Sequence, residues 1–460
     1  MSERGLAEAV EKMRAGGVGE AAVDTFRHYY ERLENGETGM LPEDAIEPLE
    51  DVPHLAELPG LDGEGRAALD AAIVLKLNGG LGTSMGMTQA KSLLEAKDGQ
   101  SFLDVTIRQV LGVRERTGAR LPLVLMDSFA TRDDTLAALA RHPELDVGLP
   151  PDFLQNKVPK LLADDDLRPA SWPRDPSKEW APPGHGDLYT ALVTSGMLDA
   201  LDEHGFRYAF VSNSDNLGAV FEPAILGWMA REGAPFVMEV TDRTEADRKG
   251  GHPARLRDGG RLVLRETAQT PEEDLEALQD IGRHRFVNTN NLWIDLRALR
   301  AALDERDGVL GLEMIVNRKT VDPSDKGSPA VVQLETAMGA AVGVFDGARA
   351  LRVPRSRFAP VKTTNDLLVL RSDAYVLGDD GRVEPAPGRG EEPPVVDLDD
   401  GFFKLLRDFE ARFPEGAPSL RACERLTVRG DVTFGRGVVV RGAVAVEGPA
   451  RIEDGAVLEG

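Results

Sequence analysis

Four short β-rich runs with helical segments between them constrain this chain more than any other feature. They are IVLKL at 73–77, LVLM at 123–126, YAFVS at 208–212 and FVMEV at 236–240. Leu103–Arg116 and Asp187–Leu201 read as helices between the runs. Alternating strands and helices predict a layered α/β sheet, largely parallel. In such sheets ligands bind beyond the carboxyl ends of the strands. The residues just after each run are therefore the first place to look for chemistry.

Residues 1–70 read as an N-terminal helical segment. Leu6, Val10 and Met13 recur at helical spacing, and Val23, Phe26, Tyr30 and Leu33 do the same. Glu37–Leu58 is acidic and dotted with proline, so it reads as loop. Residues 71–370 carry the strand–helix alternation and form the expected catalytic domain. Residues 371–425 read as a linker, rich in Pro and Gly over 371–400, followed by a helix around Phe402–Phe413. From 426 to 460 the period changes. Val428, Phe434, Val440, Val446, Ile452 and Leu458 are spaced by six, and so are Leu426, Val432, Val438, Val444 and Ala450. Two apolar registers of period six predict a left-handed hexapeptide β-helix of about two coils. Ordinary hairpin strands are the competing explanation.

Charge and cysteine content remove several function classes. The net charge of −24 repels phosphate backbones, so no nucleic-acid partner is expected. The single cysteine, Cys423, excludes an intrachain disulfide and a cysteine zinc cluster. No apolar stretch approaches a membrane span, and the first residues lack an apolar signal core. The expected location is the cytoplasm, with no membrane partner.

Leu77–Gly86 reads LNGGLGTSMG directly after the first run. Its glycines let backbone N–H groups approach phosphate oxygens, although many such loops are only tight turns. It is neither GxGxxG nor a P-loop, so neither mechanism transfers. Lys91 follows shortly. Pro182–Asp187 reads PPGHGD, with His185 flanked by Gly184 and Gly186. That histidine can donate to a phosphate or hydroxyl, or bond its own loop. Ser212–Gly218 reads SNSDNLG; Asp215 can hold Mg²⁺ with substrate phosphates or cap a helix. Val287–Trp293 reads VNTNNLW, whose asparagines suit sugar hydroxyls or turns. Arg355, Arg357 and Lys362 cluster in Val353–Asp366 and offer a second cationic arm.

These segments stand in one order: VLKLNGGLGTSMG…KSLLE, LVLMDSF, FLQNKVPKL, PPGHGDLY, FVSNSDNLGAV, MEVTDRTEADRKGG, NTNNLW, QLETAMGAA and VPRSRFAPVKTTNDLL. Together with the terminal LTVRGDVTFGRGVVVRG they resemble the eukaryotic-type UTP–glucose-1-phosphate uridylyltransferase family over about Ala71–Gly460. The resemblance implies a GT-A-like (Rossmann-like) nucleotidyltransferase core with a mixed, mostly parallel sheet. It implies Mg²⁺ as cofactor, and UTP and glucose 1-phosphate as substrates giving UDP-glucose and pyrophosphate. A pyrophosphorylase with broader sugar-1-phosphate tolerance is the alternative. Assembly between copies through the β-helix is also implied for some members.

Carried over by motif, Leu77, Asn78, Gly79 and Gly80 hold the nucleotide, and Gly80 also borders the sugar phosphate. Lys91 touches the triphosphate. Gln155 faces uracil with Gly184 beside it. His185 meets the sugar phosphate. Asn213, Ser214 and Asp215 contact sugar and metal, with Asp215 the metal ligand. Asn290 faces the sugar, and Lys362 approaches the reacting phosphates. Lys91 and Lys362 are the expected catalytic residues. One departure stands out: the family usually has Gly-Pro before the loop lysine, whereas here Gln89 and Ala90 occupy those places. No motif residue lies beyond Asp366, so the chemistry is not expected to need the terminal coils directly.

Overall fold

The computed structural model describes residues 3–58, 60, 63–163, 166–390 and 392–460. They form two compact units. One comprises Met1–Leu75, Gly148–Val211 and Glu222–Val353; the other comprises Lys76–Val147, Ser212–Phe221 and Pro354–Gly460. The architecture is mixed α/β with a mostly parallel central sheet. The strands Ala72–Asn78 and Tyr208–Asn213 begin in the first unit, and their carboxyl ends belong to the second.

In the first unit the strand Phe286–Asp295 lies between Tyr208–Asn213 and Phe236–Asp242 and runs antiparallel to both. Arg349–Arg352 joins the far edge in parallel. The antiparallel course of Phe286–Asp295 departs from the parallel pattern, because a β-rich run carries no mark of its direction. Trp293 is fully buried and packs on Phe210 at 4.6 Å between ring centroids. The two N-terminal helices, Glu3–Ala15 and Glu20–Glu34, bury the faces that their spacing predicts. Met13, Val23, Phe26 and Tyr30 pack with Val158, Leu161, Met314 and Leu334. Burying each such side chain contributes about 1.5–3 kcal/mol.

Four local expectations change. Glu37–Leu58, read as loop, contains the strand Ile46–Pro48, which pairs with His252–Leu256. A three-residue strand has too few residues to show a period. The helix expected over Asp187–Leu201 is two helices, Leu188–Thr194 and Met197–Glu203, separated at Gly196. The linker over 371–400 holds a small hairpin, Tyr375–Leu377 with Val383–Pro385, and the strand Val395–Leu398. The following helix is likewise split, into Asp400–Phe403 and Leu406–Arg412.

In the second unit Phe102–Thr117 is a helix closed by a reciprocal cap between Ser101 and Asp104. The terminal segment forms parallel ladders. Leu426 pairs with Val444, Val432 with Ala450, and Val440 with Leu458, each three six-residue steps apart. The two apolar registers thus stack on themselves. Val395–Leu398 adds to the same ladder. Leu426, Val428, Val432, Phe434 and Val440 are fully buried and share one core with Met85, Met87, Leu217 and Val361.

Candidate active site

In the second unit the glycine loop is closed by its own backbone, with the Lys91 N–H donating to the Gly80 carbonyl at 3.0 Å. Ala90, where the family usually has proline, adopts φ −55° and ψ 126° and is fully buried. That is the conformation a proline ring enforces. The loop therefore delivers Lys91 without it.

Lys91 Nζ donates to Asp215 Oδ2 at 2.8 Å and also to the Val361 carbonyl. Lys362 Nζ donates to the same Asp215 oxygen at 2.7 Å. Asp215 Oδ1 is buried and, among the described residues, has no hydrogen-bond partner. Burial pushes the Asp215 carboxyl up, but the Lys362 and Lys91 ammonium groups outweigh it and hold it below its ordinary value. The three side chains carry one net positive charge, inside a chain of net charge −24.

A backbone zipper brings the two distant motifs together. The Val361 N–H donates to the Asp215 carbonyl at 3.1 Å, and Asn216 bonds Arg357 and Ala359 through its amide. Thr363 and Asp366 cap the helix Thr364–Arg371 directly behind Lys362. Of the expected basic cluster, Lys362 reaches Asp215, whereas Arg357 is buried and Arg355 stacks on Phe358. Gly79 is partly exposed and Gly80 exposed, while Leu77 is buried. Asn78 is turned inward: its amide donates to Asp127 Oδ1 at 2.7 Å and Thr135 Oγ1 at 2.9 Å. Asn213 ends its strand partly exposed, and the Ser214 N–H donates to the Leu77 carbonyl at 3.1 Å.

Lys76 escaped the sequence reading. It is buried in the first strand run and donates to Ser212 Oγ at 2.7 Å and the Ala219 carbonyl at 2.8 Å. It thereby anchors the SNSDNLG loop. The signal was a lysine inside an otherwise apolar strand, because a buried ammonium requires hydrogen-bond partners.

In the first unit the PPGHGD loop packs tightly on Ala330–Thr336. Gly184 has φ +80°, and a Cβ there or on Gly186 would collide with Thr336. Glycine is required at both positions by close approach. The Met338 N–H donates to His185 Nδ1 at 3.0 Å. A backbone N–H can only donate, so Nδ1 is unprotonated and the neutral ring carries its proton on Nε2. His185 thus offers one N–H donor. Gln155, partly exposed, follows the strand Asp152–Leu154.

The asparagines of VNTNNLW divide their roles. Asn290 has φ +57°, a left-handed conformation that asparagine tolerates. Its Oδ1 accepts from Asn288 Nδ2 at 2.9 Å. Asn291 points inward instead, where Asn291 Nδ2 and Trp293 Nε1 donate to the two oxygens of buried Glu239. Glu239 and Asp187 were also missed by sequence reading. Each sits within an apolar or glycine motif that drew attention to its neighbours.

A sequence profile described as UTP–glucose-1-phosphate uridylyltransferase matches residues 23–441. The chain belongs to this uridylyltransferase family. Its relatives include the barley (Hordeum vulgare) UTP–glucose-1-phosphate uridylyltransferase, 39% identical over 99% of this chain and 95% of that one. The Saccharomyces cerevisiae enzyme of the same name is 40% identical over 83% of this chain and 75% of its own. Among solved structures, UDP-glucose pyrophosphorylase from Leishmania major superposes with a TM-score of 0.93. It is 46% identical and covers 100% of this chain and 99% of its own. Another crystal structure of the Leishmania protein is a complex with UDP-glucose. This uridylyltransferase-family chain contains no helix, among the described residues, long and apolar enough to cross a membrane.

Proposed function

We propose that this chain transfers the uridylyl group of UTP to glucose 1-phosphate, releasing pyrophosphate. The observation that carries this reading is the pair of lysines on one oxygen of Asp215. Two polyanions must meet in the reaction, and two unit charges at about 4 Å repel by about 4 kcal/mol at an effective dielectric of 20. Lys91 and Lys362 offset that repulsion. A phosphate oxygen of the sugar attacks the α-phosphorus, and the bond to the β-phosphate oxygen breaks. The nucleophile is already ionised near neutral pH, so no general base is needed. Catalysis is positioning and electrostatics.

Each residue has a role in this reading. Leu77, Gly79 and Gly80 bind the nucleotide through backbone, with Gly80 also beside the sugar phosphate, and Asn78 supports the loop from behind. Gln155 and Gly184 read uracil. His185 donates Nε2–H to the sugar phosphate. Asn213, Ser214 and Asn290 serve the sugar side. Asp215 suits Mg²⁺: one buried oxygen has no partner among the described residues, and Mg²⁺ is commonly held by one or two carboxylates with substrate phosphates. When bound, the ion supplies further neutralisation of the triphosphate.

The core is GT-A-like in this reading, and the enzyme works in the cytoplasm. The parallel ladders with three-step pairing support a left-handed β-helix at the C-terminus. Its last strand leaves Val457 half exposed, which supports self-association through that end. A coupled assay for pyrophosphate, with UTP and a panel of sugar 1-phosphates, tests the reaction. Glucose 1-phosphate is expected to give the highest kcat/KM. Comparable rates with several epimers favour the broader pyrophosphorylase, and no release with any sugar rejects the reading.

A further inference from the structure

Asp187 is buried, and none of the chemistry proposed above uses its carboxylate. Both of its oxygens accept from one residue. Oδ2 accepts from the Asn156 backbone N–H at 2.6 Å, and Oδ1 from Asn156 Nδ2 at 2.9 Å. Asn156 Oδ1 in turn accepts the Thr194 hydroxyl at 3.1 Å. The amide of Asn156 is therefore fixed in orientation, with its nitrogen on the carboxylate and its oxygen on the hydroxyl. The N–H held by Asp187 belongs to the peptide bond that joins Asn156 to Gln155. Asp187 thus fixes the plane of the peptide carrying the Gln155 carbonyl. An apolar cavity walled by Phe26, Tyr29, Val158, Leu310 and Leu312 borders the pair. In such surroundings a charged acceptor bonds more strongly than at the surface.

His185 stands two residues before Asp187 but has its own anchor, the Met338 N–H on Nδ1. The same loop therefore contains two separate braces. We infer that Asp187 is a positioning residue for base recognition. It sets Gln155 through the Gln155–Asn156 peptide, while Met338 sets His185. This rests on the uridylyltransferase reading, in which Gln155 faces uracil.

The test is steady-state kinetics of Asp187→Asn, Thr194→Val and the exchange Asn156→Asp/Asp187→Asn. In Asp187→Asn an amide nitrogen faces a donor, so one of the two bonds is lost. Losing a hydrogen bond to a charged acceptor corresponds to about tenfold or more in an equilibrium constant. The expected result is a KM for UTP raised about tenfold, with kcat and the KM for glucose 1-phosphate within about threefold. Thr194→Val frees only the Asn156 oxygen and is expected to raise the KM for UTP about threefold. The exchange restores a donor facing a carboxylate and keeps an oxygen for the peptide N–H. It is expected to return the KM for UTP to within about threefold of wild type.

An unchanged KM for UTP in Asp187→Asn overturns the inference. So does an equal rise for both substrates, or an exchanged pair as impaired as the single variant. A wild-type chain without turnover overturns the uridylyltransferase reading and this inference with it. A wild type that turns over beside an unaffected variant overturns the inference alone.

Discussion

Lys362 and Asp215 are 147 residues apart in sequence, and their side chains meet at 2.7 Å on the oxygen that Lys91 also holds. The contact couples the segment after the second-unit strand end to the loop before Thr364–Arg371. In the proposed reaction, the phosphates of UTP compete with this carboxylate for both ammonium groups.

Removing either lysine should slow the reaction without unfolding the chain. Lys362→Ala is expected to lower kcat by about 10²–10³, the range for losing one preorganised electrostatic donor. Lys91→Ala is expected to act similarly and to raise the KM for UTP more, since its ammonium is the more enclosed of the two. Steady-state kinetics of both variants check this. Turnover within threefold of wild type in both would remove the lysines from the mechanism.

Ala90 already holds a proline-like backbone. Ala90→Pro is therefore expected to keep activity and to stabilise the chain by about 0.4–1 kcal/mol through the unfolded state. Urea denaturation of the two forms measures it. A loss of stability would mean that the native turn rejects the ring.

Asp187 makes stability depend on pH in a defined direction. Burial, only partly offset by the Asn156 bonds, pushes its carboxyl up from its ordinary 3.8 to about 6. The folded state then holds the proton more tightly than the unfolded state. The resulting stabilisation is full below about pH 3.8 and is lost as pH rises through about 6. Relative to Asp187→Asn, wild type should lose about 2 kcal/mol between pH 4 and 7. Denaturant midpoints of both proteins at the two pH values give the difference. A gap that does not change with pH contradicts the shift.

The terminal parallel ladders offer a test of assembly. Their inner residues share a core with Met85, Met87 and Val361, so removing them would disturb the lysine loops as well. A surface change is the cleaner probe. Val457→Glu is expected to abolish self-association and leave kcat within twofold. Light scattering across a concentration series reads the mass. Equal masses for both proteins would remove this end from the interface.

The lysines of the candidate site were legible because they are rare in context. Only twelve of the 54 basic residues are lysines, so Lys91 beside a glycine loop and Lys362 within an arginine-rich segment stand out. Their convergence on Asp215 was not legible, because spacing along the chain carries no distance across it. The repeat of six was visible without the fold, since a parallel ladder of residues three such steps apart places like positions side by side. The direction of Phe286–Asp295 was hidden, as a buried strand reads alike both ways. Asn291 reads with its neighbouring asparagines as suited to sugar hydroxyls, whereas its amide donates to buried Glu239 beside Trp293. Asp187 was overlooked for a similar reason: its partner Asn156 lies 31 residues earlier, in a different motif.

Following the label from UTP tests the central claim most directly. With UTP labelled at the α-phosphorus and an excess of glucose 1-phosphate, the purified chain should place the label in UDP-glucose and release unlabelled pyrophosphate. Lys362→Ala should do the same about 10²–10³ times more slowly. Label appearing as UMP or in pyrophosphate, or a variant as fast as wild type, would contradict attack at the α-phosphorus assisted by the lysine pair.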